Sequence, residues 1–155
     1  MCRHVQYSTQ EDQMPSGINK IDFSSSDDIR KPDKTVVETV TVGATNVARL
    51  TVQPGWVWKE CIAPVVGTDS CQAHHLGIVQ SGQLKVQHED GSEAVLNPGD
   101  VYECRPGHQA EAVGNVPCVM IEFNSEAAAQ LRQKLILRGA PESPPPESSL
   151  YYKFP

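Results

Sequence analysis

The chain has 155 residues, a length that fits one domain and allows a hydrophobic core without disulfides. Its 19 acidic and 13 basic residues give a formal charge of -6, and the basic residues are scattered, so no nucleic-acid partner is expected. No segment approaches the roughly 18 apolar residues of a membrane span, and residues 1–20 hold no apolar run of signal-peptide length. The composition therefore predicts a cytoplasmic protein without a membrane partner.

Five cysteines are spread along the chain, and no two of them form a Cys-x-x-Cys pair. An odd number of widely separated cysteines is typical of reduced thiols rather than of a disulfide framework. Cys104 and Cys118 each lie in an apolar run and are expected to be small core side chains.

Residues 1–32 are polar and contain few large apolar side chains, so they predict a flexible arm or a strand added to a neighbour. Residues 33–124 then show alternating apolar and polar positions, interrupted at short intervals by turn signals rich in glycine, proline and asparagine. Asp90-Gly91 is the clearest hairpin turn. Short, evenly spaced strands predict an all-β sandwich or barrel.

A single helix is predicted over residues 125–139. Ser125 can cap its start, Glu126 lies near its positive end, and Gly139 can end it. Residues 140–155 follow as a proline-rich linker and an aromatic tail, for which docking on a barrel and fraying at the terminus both remain open.

Residues 54–123 contain three segments that point to a family. Residues 54–58 read Pro-Gly-Trp-x-Trp, residues 71–82 hold two adjacent histidines, and residues 98–108 begin with Pro-Gly-Asp and end with a histidine. The arrangement resembles the cupins, whose motifs are G-x5-H-x-H-x3,4-E-x6-G and G-x5-P-x-G-x2-H-x3-N. A small single-domain, type-2-like cupin is implied, with a double-stranded β-helix (jelly-roll barrel) and one C-terminal α-helix.

In the first motif, counting back from Gly82 places His75 in the slot of the family's glutamate ligand. The shorter motif spacing puts the two histidine slots on Asp69 and Cys71, whereas the longer spacing puts them on a threonine and a serine, which are poor ligands. His74 is expected on the opposite face of the strand, and the two histidines exchange roles if the register shifts by one residue.

In the second motif, the histidine slot falls on Ala110, and His108 lies two positions earlier. Residues two apart share a strand face, so His108 can point into the barrel. The resemblance thus implies a metal site of His75, His108 and Cys71, with Asp69 as a candidate fourth ligand. A thiolate beside two imidazoles suits one divalent transition metal, zinc or iron in particular.

Other side chains are candidates for contact with a small-molecule ligand. The candidate lining residues are Trp56, Trp58, Gln109 and Glu111. The two tryptophans are predicted to share a strand face as an apolar wall, although closing the barrel or an interface explains them equally well. Tyr102 and Glu103 lie just before the second motif and are candidates for a catalytic acid or base.

Cupin folds support many reactions, so the fold assigns none of them. The first hypothesis is a small metal-dependent enzyme, such as an oxygenase, isomerase or lyase, that converts a small organic molecule inside the barrel. The second is a binding or sensing module without catalysis, which need not hold a metal, and the third is a purely structural dimer unit. A homodimer is expected under all three hypotheses, because cupin barrels commonly pair through sheet edges.

Overall fold

The computed structural model describes residues 17–26 and 28–139, which form two antiparallel β-sheets and a C-terminal helix. The strands are β1 (Asp28–Arg30), β2 (Thr35–Val42), β3 (Thr45–Val52), β4 (His75–Ser81), β5 (Gln83–His88), β6 (Glu93–Leu96), β7 (Val101–Cys104), β8 (His108–Val113) and β9 (Cys118–Phe123). The helices are α1 (Trp58–Cys61), α2 (Ala63–Val66) and α3 (Glu126–Leu137). The predicted all-β class with a C-terminal helix is confirmed.

Six strands form one sheet in the order β1-β2-β3-β9-β4-β7, and three form the other in the order β6-β5-β8. Alternation along each strand turns one apolar set inward, so the two sheets share one core. Its central side chains are Val37, Leu50, Val52, Leu84, Val86 and Met120. The predicted hairpin is present between β5 and β6, with Gly91 at φ +89°, a left-handed conformation that favours glycine.

Part of the predicted arm belongs to the sheet. Strand β1 pairs with β2 of the same chain, with Ile29 opposite Glu38. The sequence pattern does not identify β1 as a strand because its two buried side chains are charged. They form an ion pair, Arg30 with Asp28 at 2.5 Å. Residues 1–16 of the predicted arm and the predicted linker and tail at 140–155 lie outside the described residues.

The segment after β3 turns at Pro54-Gly55, Val57 is extended and forms an isolated bridge with Glu111, and α1 begins at Trp58, so Trp56 and Trp58 do not lie in one regular strand, contrary to the prediction. Trp58 begins α1, and the buried side chains that follow it are Cys61 and Ile62. Spacings of three and four residues are those of one helix face. Both tryptophans are nevertheless buried, at 6% and 4% exposure.

Helix α3 begins where the sequence predicts. The Ser125 hydroxyl accepts a hydrogen bond from the Ala128 N–H at 3.2 Å, and Ala128 and Leu131 pack against the barrel. Gly139, at φ +87°, follows the last turn. No helix among the described residues is long and apolar enough to cross a lipid bilayer.

Candidate metal centre

Three side chains with metal-ligating atoms meet where the two sheets join. Cys71 precedes β4, His75 begins β4, and His108 begins β8. The Cys71 N–H donates to the His108 carbonyl at 2.8 Å, and Gly107 donates to the Cys71 carbonyl at 2.7 Å. Within residues 17–26 and 28–139, Cys71, His75 and His108 form the one group of three potential ligands, with ligand atoms within 4.8 Å of one another.

The spacing and chemistry of these atoms suit a transition metal. Cys71 Sγ lies 3.4 Å from His75 Nε2. Zinc binds sulfur at about 2.3 Å and imidazole nitrogen at about 2.0 Å, so two such ligands at a tetrahedral angle lie about 3.5 Å apart. The His75 and His108 rings meet edge to face, with centroids 4.9 Å apart. One sulfur and two nitrogens are donors for zinc or iron rather than for calcium or magnesium.

Each imidazole donates its Nδ1 hydrogen to a fixed acceptor, so Nε2 is the atom that can bind a metal, which on His75 would replace a proton. His75 donates to Glu122 Oε1 at 2.7 Å, and His108 donates to the Arg105 carbonyl at 2.6 Å. Histidines that bind metals almost always donate their other ring N–H to a carboxylate, a carbonyl or water. The residues present therefore fit a bound transition metal.

The buried carboxylate of Glu122, 1% exposed, connects the site to its surroundings. Besides His75 it accepts hydrogen bonds from the Tyr102 hydroxyl at 2.9 Å and from the Ser125 hydroxyl. Glu122 is not among the residues predicted from the sequence, although alternation in β9 places it on the same inward face as Met120. A carboxylate at an inward position of an apolar strand needs hydrogen-bond partners, and this pattern in the sequence could have identified Glu122 as a site residue.

Gly77 gives these side chains the space to meet. In β4 it pairs with Tyr102 on one side and with Glu122 on the other. A Cβ atom at Gly77 would lie 2.5 Å from the Ile121 carbonyl oxygen and 3.0 Å from the Tyr102 hydroxyl oxygen. The missing side chain thus allows the hydroxyl to reach the carboxylate.

Replacing Gly77 with alanine is expected to lower the free energy of unfolding by about 1–3 kcal/mol, because the added methyl group overpacks the contact between β4 and β9. Gly17→Ala is the matched control, since a Cβ there meets no atom within 4 Å. Urea denaturation of both variants measures the difference. Equal losses in the two variants would contradict the close approach at Gly77.

Two buried groups of the site carry opposite pKa shifts. Burial raises the pKa of the Cys71 thiol, but hydrogen bonds with His108 and His75 outweigh burial and lower this pKa to about 6. Burial lowers the pKa of His75, but the Glu122 charge and the hydrogen bond with Cys71 raise it to about 10. Burial also raises the pKa of the neighbouring Cys104 thiol to about 11. At neutral pH Cys71 is therefore a thiolate, the form that binds metals, and Cys104 is not.

Ser125 connects the site to helix α3. Its hydroxyl donates to Glu122 Oε2 and accepts from the Ala128 N–H, so one side chain supports both the carboxylate and the helix start. Ser125→Ala removes both bonds and is expected to cost about 2 kcal/mol of unfolding free energy.

An aspartate variant separates the two roles of Ser125. Aspartate caps helices as well as serine does, but in Ser125→Asp it places a second carboxylate beside Glu122. We therefore expect Ser125→Asp to be less stable than the wild type in thermal denaturation at neutral pH. If Ser125→Asp is as stable as the wild type, Ser125 acts only as a helix cap.

The three potential ligands line a cavity of about 70 Å³ between the sheets. Apolar side chains form most of its wall, and Ala127 and Leu131 of α3 complete it. Because one water requires about 10–15 Å³, the cavity accepts a molecule of only a few non-hydrogen atoms.

The predicted site residues fall into two sets. Those that line the cavity are Cys71, His75, His108, Tyr102, Trp56 and Trp58. Those that lie elsewhere are Asp69, Glu103, Gln109 and Glu111. Only the first set can contact a molecule held between the sheets.

Asp69 is exposed in the irregular segment before Cys71, which corrects its prediction as a fourth ligand. Its backbone carbonyl instead accepts a hydrogen bond from the Gln109 side chain. Gln109 and Glu111 alternate with the inward Ala110 along β8, so they face outward and do not line the cavity.

Glu103 lies on the outer face of β7, which corrects its prediction as a cavity acid or base. It pairs with His74 at 2.8 Å, and the two side chains are 58% and 40% exposed. Tyr102 lines the cavity, but its hydroxyl donates to Glu122, and burial together with the Glu122 charge raises the pKa of Tyr102. The contacts of Tyr102 therefore favour a role in holding Glu122 in place rather than the predicted role as an acid or base.

No family model and no curated protein sequence matches the chain. Solved structures are similar to it. A cupin-superfamily sugar phosphate isomerase from Silicibacter pomeroyi has a TM-score of 0.49 at 17% identity, over 67% of this chain and 73% of that one. KdgF from a Halomonas species has a TM-score of 0.44 at 20% identity, over 63% of this chain and 86% of that one.

Oxalate decarboxylase from Lactobacillus farciminis has a TM-score of 0.49 at 15% identity, over 71% of this chain. The chain spans only 33% of that decarboxylase. The chain is thus similar to cupin-superfamily structures in architecture alone, at TM-scores below 0.5, and no activity or residue role is transferred from them.

Proposed function

We propose that the chain is a small metal-dependent cupin enzyme that binds zinc or iron through Cys71, His75 and His108 and converts a small organic molecule in the cavity. One observation carries the proposal. A thiol and two imidazoles, each imidazole fixed through Nδ1, converge on the wall of a largely apolar cavity.

A divalent metal bound at this site supplies Lewis-acid chemistry, which polarises a carbonyl oxygen or lowers the pKa of a water molecule. The chain's own residues prepare the site. Glu122 orients the His75 ring, and hydrogen bonds from Tyr102 and Ser125 hold Glu122 in place. The apolar wall keeps water scarce, which strengthens electrostatic interactions inside the cavity.

Metal content tests the proposal directly. Untagged protein purified without a chelator is expected to contain close to one zinc or iron ion per chain by elemental mass spectrometry. Protein that contains no transition metal, and takes up none on dialysis against zinc or ferrous salts, would contradict it. Ligand-induced stabilisation without any product would instead favour the binding or sensing module.

The same residues favour a second candidate function, covalent chemistry at Cys71. Cys71, His75 and Glu122 follow the order of a nucleophile, an imidazole and a carboxylate, with Sγ to Nε2 at 3.4 Å and Nδ1 to Oε1 at 2.7 Å. Iodoacetamide labelling of Cys71, followed by peptide mass spectrometry, separates the candidates. A metal centre predicts that one equivalent of zinc blocks labelling, whereas equal labelling with and without zinc favours the nucleophile.

The homodimer and the cytoplasmic location remain predictions from the sequence.

A further inference from the structure

A groove runs along helix α3, apart from the cavity of the candidate metal centre. Its volume is about 470 Å³, and it lies between α3 and the hairpin of β2 and β3. Ser125 lines it before the first turn of the helix, and Leu137 lines it in the last turn. The helix residues that line this groove differ from those that line the metal cavity, so the two spaces lie against different faces of α3.

The wall of the groove combines apolar and polar side chains. Ala48 and Ala128 are buried in it, and their short side chains leave its space open. Ile136 and the 75% exposed Leu137 add apolar surface near the end of the helix. The polar side chains that line it are Thr39, Thr41, Asn46, Arg132 and Gln133. Such a wall suits aromatic side chains, and tyrosine above all, because its ring is apolar and its hydroxyl forms hydrogen bonds.

The chain supplies such side chains after α3. Residues 150–155, the aromatic tail, read Leu-Tyr-Tyr-Lys-Phe-Pro. The linker before it, residues 140–149, contains no aromatic and no large aliphatic side chain. Apolar side chains that could be buried are therefore concentrated in the tail.

The linker begins beside the groove and is long enough to return along it. Gly139, at φ +87°, follows the last turn, and a left-handed glycine there turns the chain off the helix axis. Helix α3 has 12 residues and is therefore about 18 Å long. Residues 140–149 span at most about 33–36 Å when extended. The aromatic tail can thus reach every part of the groove.

Tethering and charge favour the chain's own tail over a separate partner. A short linker gives its tail an effective concentration in the millimolar range at a neighbouring site, so even weak docking is occupied. Arg132 is exposed and lines the groove. A guanidinium attracts the faces of aromatic rings, and its positive charge also attracts the linker carboxylates at Glu142 and Glu147.

We propose that the aromatic tail docks in the groove between α3 and the β2–β3 hairpin of its own chain, with Tyr151, Tyr152 and Phe154 against the helix. The docked tail straps α3 onto the barrel. Because another face of α3 lines the metal cavity through Ala127 and Leu131, the tail stabilises the wall of that cavity without entering it. This inference does not depend on a bound metal.

Fluorine resonances of the full chain test the docking. The chain has three phenylalanines, Phe23, Phe123 and Phe154, so labelling with 4-fluorophenylalanine gives three signals, and Phe154→Leu assigns the one from the tail. The Phe154 signal is expected to lie away from its position in concentrated urea. A Phe154 signal that already lies at its urea position in the folded wild type would overturn the proposal.

A matched pair of helix variants locates the docking site. Ala129→Gln and Lys134→Gln each place a glutamine at an exposed position of α3, but only position 129 lines the groove. Ala129→Gln is expected to move the Phe154 signal most of the way to its urea position, and Lys134→Gln is expected to leave it in place. The same response in both variants, or none in Ala129→Gln, would place the tail elsewhere and overturn the proposal.

Nuclear Overhauser contacts distinguish the chain's own tail from that of a second copy. Contacts are expected between the Phe154 ring and the methyl groups of Ala129 and Ile136. In a sample refolded from a mixture of methyl-labelled and ring-labelled chains, these contacts are expected to be absent, because each label is then on a different chain. Their presence in that mixture would assign the groove to the tail of a second copy and overturn docking within one chain.

Hydrogen exchange tests whether the docked tail stabilises α3. The double variant Tyr151→Ser/Tyr152→Ser is expected to speed exchange of the amides in the last turn of α3 by about tenfold, because that turn then opens more easily. Tyr7→Ser is the matched control, a tyrosine outside the tail that is expected to leave this exchange unchanged. Exchange at the wild-type rate in the double variant, or equal acceleration in Tyr7→Ser, would overturn the strap.

Discussion

His75→Ala and His108→Ala are each expected to weaken zinc binding by more than about a hundredfold. Loss of a residue that only supports a metal ligand typically costs about 10–100-fold in affinity, and loss of the ligand itself costs more. Competition against a chromophoric chelator measures the affinity. Glu122→Gln is expected to weaken zinc binding by only about 10–100-fold. The glutamine amide oxygen can still accept the His75 Nδ1 hydrogen, but it carries no charge.

His74→Ala is the matched control for the histidine variants. His74 is adjacent in sequence to His75, but its ring pairs with Glu103 on the outer surface of the barrel. Its removal is expected to leave zinc affinity unchanged. If His74→Ala weakens zinc binding as much as His75→Ala does, the ligand assignment is wrong.

Cobalt spectroscopy tests the sulfur ligand separately. Cobalt bound by the wild-type chain is expected to show a sulfur-to-metal charge-transfer band in the near ultraviolet, which Cys71→Ser removes. Cys104→Ser is the control, since the raised pKa of Cys104 keeps that thiol neutral. Persistence of the band in Cys71→Ser would assign the sulfur ligand elsewhere.

The second large effect concerns pH, measured in the presence of a chelator. The pKa of His75 is about 10 in the folded chain, above its ordinary value of 6.5, so its contribution to stability is present below pH 6.5 and is lost as pH rises through 10. The pKa of Cys71 is about 6, below its ordinary value of 9.0, so its contribution is present above pH 9 and is lost as pH falls through 6.

The pH dependences of these two contributions cancel between pH 6.5 and 9, although each contribution is stabilising there. In that window the folded chain carries the proton on His75, whereas the unfolded chain carries it on Cys71, so both states bind the same number of protons. The wild-type free energy of unfolding is therefore expected to be nearly independent of pH there, as far as this pair is concerned.

Cys71→Ser removes the contribution of Cys71, so the pH dependence of the His75 contribution can be measured. The free energy of unfolding of this variant is expected to fall as pH rises above 6.5, because the folded chain alone keeps the His75 proton, and the fall ends at a lower pH than the wild-type value of about 10 because Cys71 itself raises the His75 pKa. Urea denaturation at several pH values measures the slope. Cys104→Ser is expected to keep the wild-type profile, and a flat profile for Cys71→Ser would show that His75 does not hold a proton in this range.

The fold could be predicted from local patterns because strands, turns and helix caps are encoded by near neighbours. Alternation over residues 33–124, the Asp90-Gly91 turn and the Ser125 cap each depend on a few adjacent residues, and the structure contains all three features. Two features were not specified by local patterns. Strand β1 at residues 28–30 carries a buried ion pair of Arg30 with Asp28 in place of apolar side chains, and a helix rather than a strand begins at Trp58.

The candidate site was only partly predictable. The motif spacing selected Cys71, His75 and His108, because ligand types and alternation can be counted along the chain. The spacing also selected Asp69, and proximity to the second motif selected Glu103, but both side chains are exposed. Counting along one strand does not show where an irregular segment points or which way a neighbouring strand faces.

The sequence by itself determined the class of fold and the capped C-terminal helix, and its four candidate ligands included the three that the structure brings together. The tertiary structure decided what surrounds these three residues, because β4 lies between β7 and β9, which are distant in sequence. That pairing brings Tyr102 and Glu122 together across Gly77 and places Glu122 behind His75. Contacts of this kind depend on strand order and register, which no local pattern specifies.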